Sequence, residues 1–243
     1  MKRRGFIIAV FLLALSMGCG QRNAESSRFQ PKAFGAALVE VSGGKQIAIV
    51  GAPLDQPLIV QVNDAQGAPV AGAAVSLQVN GDAIVTPATG LTGQDGQLSV
   101  GVALGGVAGR YQVVATTRDK SGKVIELRSD EIALGYQQNV GRQLNETYCS
   151  RCHDPESTAE RVSNHDNLNA KPHAFTEGSF LNTLSDADLS SIVTHGGPAL
   201  NRSPEMPPYG ATLHKADVEA LIAYIRAVSD PPYRSKGLVY AKN

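Results

Sequence analysis

Between about residue 36 and residue 135 apolar side chains recur at every second position in short runs, each closed by a Gly, Asp, Asn or Pro signal. Leu58-Ile59-Val60-Gln61-Val62 predicts a strand, Asn63-Asp64-Ala65-Gln66-Gly67 a turn, and Ala74 to Val79 the next strand. A second turn, Thr92-Gly93-Gln94-Asp95-Gly96, precedes Gln97 to Val102, and Tyr111 to Thr116 follows. Strands with one apolar face must stack that face on another sheet, so the pattern predicts an all-β sandwich. Beyond Tyr136 the period lengthens. Val218, Leu221, Ile222, Ile225 and Val228 share one face of a helix. Ser185-Asp186-Ala187-Asp188 is a capping-box-like start for a shorter helix that ends near His195 and Gly196-Gly197. The fold class expected is two domains, an all-β sandwich over 36–135 followed by an all-α domain over 138–243.

The first residues follow neither period. Lys2, Arg3 and Arg4 precede an uncharged apolar run from Phe6 to Met17, which is the pattern of an export signal. A spanning helix needs about 20 apolar residues, and this run is shorter, so cleavage after residue 18 is expected. Leu15-Ser16-Met17-Gly18-Cys19 resembles the lipobox of bacterial lipoproteins. That resemblance implies a lipid on Cys19, anchorage in the cell envelope, and either a periplasm-facing or an outer-membrane position. Residues 19–35, with the polar run Gln21-Arg22-Asn23-Ala24-Glu25-Ser26-Ser27, are read as a tether.

Charge changes the picture slightly. The chain has 22 basic and 22 acidic residues, and loss of Lys2, Arg3 and Arg4 leaves 19 against 22, a net charge near −3. No basic cluster interleaved with aromatics is present, so nucleic acid is not an expected partner.

The chain has three cysteines. Cys19 falls to the export signal, so no disulfide framework remains for a domain that holds only Cys149 and Cys152. These two stand in Cys149-Ser150-Arg151-Cys152-His153, the spacing of a c-type haem attachment. Two thiols add to the two vinyl groups on one porphyrin edge, and the next residue offers an imidazole to the iron. A zinc site would call for a second pair of Cys or His ligands, and a redox dithiol for a surrounding βαβ pattern. Of the three methionines, Met1 and Met17 lie in the signal, which leaves Met206 as the thioether available for the other axial position. It sits in the proline-stiffened Ser203-Pro204-Glu205-Met206-Pro207-Pro208-Tyr209, where reduced loop entropy favours holding a soft ligand in place. Ligation by a second histidine stays open. His165, His173, His195 and His214 are each read as solvated.

Two family resemblances follow. Val62-Asn63-Asp64-Ala65-Gln66-Gly67-Ala68-Pro69-Val70, Thr92-Gly93-Gln94-Asp95-Gly96 and Gly109-Arg110-Tyr111 resemble bacterial Ig-like domains of the intimin/invasin type. Such domains act as rigid spacers or adhesive modules. Residues 138–230 resemble class I c-type cytochromes, with Gly141 and Tyr224 at the places where a short glycine-bearing helix crosses an aromatic-bearing C-terminal helix. This resemblance implies one covalent haem c, a Met-Pro loop at Met206, and a proline carbonyl after the motif, here Pro172, that fixes the histidine ring. It implies a one-electron carrier rather than an enzyme, docking transiently with redox partner proteins and needing no small-molecule substrate. A catalytic or sensory haem protein with a labile Met206, and an adhesin with an accessory haem domain, are the alternatives.

Overall fold

The computed structural model describes residues 33–158 and 161–234; the signal, Cys19 and most of the tether lie outside them. Nine strands come first: β1 (Ala37–Ser42), β2 (Ile47–Ile49), β3 (Leu58–Asn63), β4 (Ala74–Val79), β5 (Ile84–Thr86), β6 (Thr89–Leu91), β7 (Gln97–Ala103), β8 (Gly109–Arg118) and β9 (Val124–Leu134). They form two sheets, ordered β1-β3-β7-β5 and β2-β9-β8-β4-β6, in which only the short β2 runs parallel to its neighbour β9. Leu58, Val60 and Val62 of β3 alternate inward to meet Val75 and Leu77 of β4 and Tyr111, Val113 and Ala115 of β8. This period of two is what the sequence displayed.

The turn at Asn63–Gly67 does not pair the strands it joins. β3 bonds to β1 and β7, whereas β4 lies in the other sheet. Asp64 Oδ1 accepts the N–H groups of Gln66 and Ala68 at 2.9 and 2.8 Å, and Gly67 adopts φ +85°, so the chain folds tightly before crossing between sheets.

Gly135 alone separates β9 from α1 (Tyr136–Leu144). A π-helical turn, Asn145–Cys149, joins α1 to α2 (Ser150–His153); α3 (Gly178–Leu181), α4 (Asp186–His195) and α5 (Lys215–Val228) follow. Between α2 and α3 the chain is mostly irregular, so this helical region is less helical than the sequence period suggested. Among the described residues no helix is long and apolar enough to cross a membrane.

α1 crosses α5 at Gly141. A Cβ there would overlap the Ala220 carbonyl oxygen and stand 2.7 Å from Tyr224 Cβ, so only glycine admits this approach. All five residues of the α5 stripe are buried, together with Ala220 and Tyr224. Ser185 caps α4 as its sequence suggests: its Oγ accepts the Asp188 N–H at 3.1 Å and Asp188 Oδ2 accepts the Ser185 N–H at 3.0 Å.

The sandwich and the helices share a core. Ile132 and Leu134 of β9 pack with Tyr224 and Val228 of α5, and Ile47, Phe175 and Ala227 border the same cluster. Two regions that the sequence reads as separate domains therefore meet through a shared apolar cluster.

Candidate functional site

The attachment motif sits where helix geometry changes. Thr147 Oγ1 donates to the Gln143 carbonyl at 2.8 Å and Ser150 Oγ to that of Glu146 at 3.2 Å, back-bonds that accompany the widened π turn. From there α2 carries Cys152 three residues and His153 four residues beyond Cys149, the offsets that share a helix face. Both thiols are free. The Cys149 thiol is pushed up to about 12, by burial first and by the neighbouring Cys152 second. A redox dithiol depends on a lowered thiol pKa, so this environment opposes the dithiol alternative. Among the described residues no group of three His, Cys, Asp or Glu is placed to hold a metal ion, and the zinc alternative loses support as well.

His153 Nδ1 lies 2.8 Å from the carbonyl oxygen of His173. A carbonyl can only accept, so Nδ1 carries the proton and Nε2 keeps its lone pair. Burial, above all, holds the imidazole below the usual histidine range, which keeps it neutral. Phe175 packs on the ring at 4.8 Å between centroids. The carbonyl expected from Pro172 is supplied by the next residue. Proline fixes its own φ, but the irregular segment decides which carbonyl turns inward.

Cys149, Cys152, His153 and Met206 all line one cavity of about 300 Å³, within the range of cofactor clefts. Its walls are apolar, from Phe175, Leu181, Leu189, Val193, Leu221 and Ile225. Met206 is half-buried and faces this space from the loop after α4, and its carbonyl accepts the Gly197 N–H at 3.1 Å. Two free thiols, a neutral imidazole with an available Nε2, and a thioether around an apolar cleft are a donor set that fits a covalently attached haem.

Sequence reasoning missed the neighbours that hold these groups. Glu205 reaches across the cleft mouth to the 169–170 backbone. Its carboxylate accepts the Asn169 and Ala170 N–H groups at 3.3 and 3.2 Å and Asn169 Nδ2 at 2.8 Å, and the backbone bonds hold it below the usual carboxylate range. Ser203 Oγ also donates to it at 3.3 Å, but nothing in the sequence marks the clamp, because its partners at Asn169 and Ala170 lie 35 or more residues away. In the haem-loaded protein Glu205→Gln is expected to leave haem content unchanged while carbon monoxide binds the reduced form about threefold faster, because one clamping acceptor becomes a donor facing donors. Stopped-flow mixing measures it; an unchanged rate would remove the clamp from the account.

One of the four other histidines departs from the solvated reading, and a second, His173, keeps 44% of its side chain exposed while it packs on a ring. His173 stacks on Phe180 at 3.7 Å between centroids, with Nδ1 2.6 Å from Glu177 Oε2, at the rim of the cavity. The His165 side chain is only 17% exposed and its Nδ1 lies 3.0 Å from Asp166 Oδ1. Within the stretch that looked polar in sequence, Leu168, Ala170, Pro172 and Phe175 line the cleft. His195 and His214 are exposed, at the end of α4 and the start of α5. Arg202, 5.5 Å from the Phe180 ring, and Lys171 add positive charge at the rim.

The β-sandwich followed by a helical domain built around a CxxCH motif defines the class, an Ig-like module joined to a cytochrome c domain. Residues 55–128 match the family described as bacterial Ig-like domain (group 1), and residues 137–225 match the family described as cytochrome C oxidase, cbb3-type, subunit III. The chain thus carries a bacterial Ig-like domain and, after it, a cbb3-type cytochrome c domain. No curated protein matches it. Among solved structures it is similar to the D00-D0 domain of intimin, at 14% identity and TM-score 0.32 over 44% of this chain and 51% of that one. The Yersinia pseudotuberculosis adhesin InvE aligns at 16% identity and TM-score 0.32, covering 40% and 32%. Invasin, described as a bacterial integrin-binding protein, aligns at 20% identity and TM-score 0.31, covering 40% and 19%. The chain spans about half the length of the first of these structures and less of the other two.

Proposed function

We propose that this chain is an exported mono-haem c-type cytochrome of class I that carries single electrons in the cell envelope. The observation that carries this reading is the convergence of Cys149, Cys152, His153 and Met206 on one apolar cavity. Cys149 and Cys152 would hold the porphyrin through thioethers, and His153 Nε2 and Met206 Sδ would bind its iron. Bound there, haem supplies a one-electron Fe(II)/Fe(III) couple whose potential a thioether raises relative to two histidines. The chain's own contribution would be to hold His153 and Met206 toward the iron within a rigid, apolar surrounding. The His173 carbonyl orients His153, and Glu205 with Pro207 and Pro208 restrains Met206.

Electrons would leave beside Cys149 and Cys152. Tyr148 beside it is 39% exposed, and Tyr209 is tied to that segment by its hydroxyl, which donates to the Tyr148 carbonyl at 3.0 Å. A redox partner protein docks there over a small, transient interface. Lipidation at Cys19 holds the protein to the envelope, and the Ig-like module acts as a spacer that lifts the haem from the membrane. No enzymatic role, small-molecule substrate or nucleic-acid partner belongs to this reading.

Absorption spectra of the mature protein test it. The alkaline pyridine adduct is expected to show haem bound through two thioethers, and the ferric form the weak far-red band of thioether ligation. A chain that survives denaturation without covalent haem would end this proposal. A ferric form lacking the far-red band would replace Met206 by a histidine or an open site.

A further inference from the structure

The seam between the sandwich and the helices does more than join them. Arg110 of β8 stands beside Ile132 of β9, on the face of the sheet that meets α5. Its Nη2 donates to the carbonyl of Ser229 at 2.6 Å, and Ser229 is fully buried just past the end of α5. The next residue is pinned in turn. The Asp230 N–H donates to the Thr176 carbonyl at 2.8 Å, and the Gly178 N–H donates to the Asp230 carbonyl at 3.0 Å, which makes a short parallel bridge. Asn182 Nδ2 adds a bond to the Pro231 carbonyl at 2.8 Å.

The 176–178 segment held by this bridge continues directly from the residues that touch the axial histidine. Two residues upstream of Phe175, the His173 carbonyl accepts from His153 Nδ1, and Phe175 itself packs both on the His153 ring and into the seam cluster. Arg110, Ser229, Asp230, Thr176, Phe175 and His153 therefore form an unbroken series of bonded or packed groups that starts in the Ig-like module and ends at the imidazole.

We infer that Arg110 of the Ig-like module is a positioning residue for His153, acting through the Ser229–Asp230 strap and the 173–178 segment. The inference rests on the haem reading, since it treats His153 as an axial ligand. It changes what the module is for. A pure spacer could be exchanged for any rigid body of similar length, whereas this one supplies part of the framework around the ligand. The hydrogen bond that an axial histidine donates through its other nitrogen fixes ring orientation and ligand strength, and its acceptor here is only as steady as the segment carrying it. Coupling over such a distance needs a contiguous physical series, and each link is present.

The test uses the haem-loaded full-length protein. In Arg110→Met the His153 Nδ1 proton, followed by NMR in the ferric state, is expected to exchange about tenfold faster while amides of β3 exchange at the parent rate. Arg110→Lys keeps a cationic donor and is expected to stay within about twofold of the parent. Where the methionine variant does not yield folded protein, Arg110→Gln reads the same quantity with a shorter polar side chain. Unchanged Nδ1 exchange overturns the inference and leaves the haem reading intact. Equal acceleration at Nδ1 and in β3 also overturns it, because that is global loosening. A parent without covalent haem overturns the haem reading itself.

Discussion

Serine at both Cys149 and Cys152 is expected to abolish covalent haem and to cost the helical region most of its stability. The two thiols are the helical region's whole supply for thioether bonds, because the third cysteine, Cys19, stands far upstream, before the sandwich. His153 and Met206 would remain, but a bond to each alone does not survive denaturation. Without haem the apolar side chains that line the cleft of about 300 Å³ lose the group they would pack against and are left facing solvent. The sandwich has its own core, built from β3, β4, β7 and β8, and is expected to keep its strands. A denaturing gel stained for haem reads the first effect, and circular dichroism during heating reads the second, as loss of helical signal with strand signal retained. Haem staining in the double variant, or a helical melting temperature equal to the parent's, would refute the account.

Met206→Ala is expected to open one axial position without releasing the haem. The far-red band disappears, the reduced protein binds carbon monoxide readily, and the reduction potential falls by on the order of 0.1 V, a fraction of the ~0.8 V that axial ligands span. The direction follows from softness: a thioether favours Fe(II), so its loss favours Fe(III). Met206→His restores two filled positions and should exclude carbon monoxide again while leaving the potential low. Spectroelectrochemical titration of the two variants beside the parent separates these outcomes. A Met206→Ala variant whose reduced form still excludes carbon monoxide would assign the ligand elsewhere, and His173 at the cavity rim would be the next residue to replace.

What was legible in the chain was legible for local reasons. A side-chain period of two needs no partner to be visible, so β3, β4, β7 and β8 fall where the alternation placed them. The same holds for the α5 stripe and for the Ser185 cap, whose bonds close within three residues. Gly141 was readable only through a family resemblance, and its reason is the Ala220 carbonyl, 79 positions away. The irregular stretch after the motif misled in two ways: it looked solvated and lines part of the cleft, and its inward carbonyl belongs to His173 rather than Pro172.

By itself the sequence determined the order of sandwich and helices, the strand and helix faces that must be buried, and a CxxCH motif whose spacing makes sense for one haem. Those properties depend on covalent spacing and on short periods along the chain. Which strands became neighbours, that β3 and β4 lie in different sheets, that Glu205 clamps residues 169–170, and that Arg110 reaches Ser229 were decided only by tertiary structure. Each joins residues distant in the chain, and no local pattern marks which of many similar polar or apolar groups will meet once the core has closed.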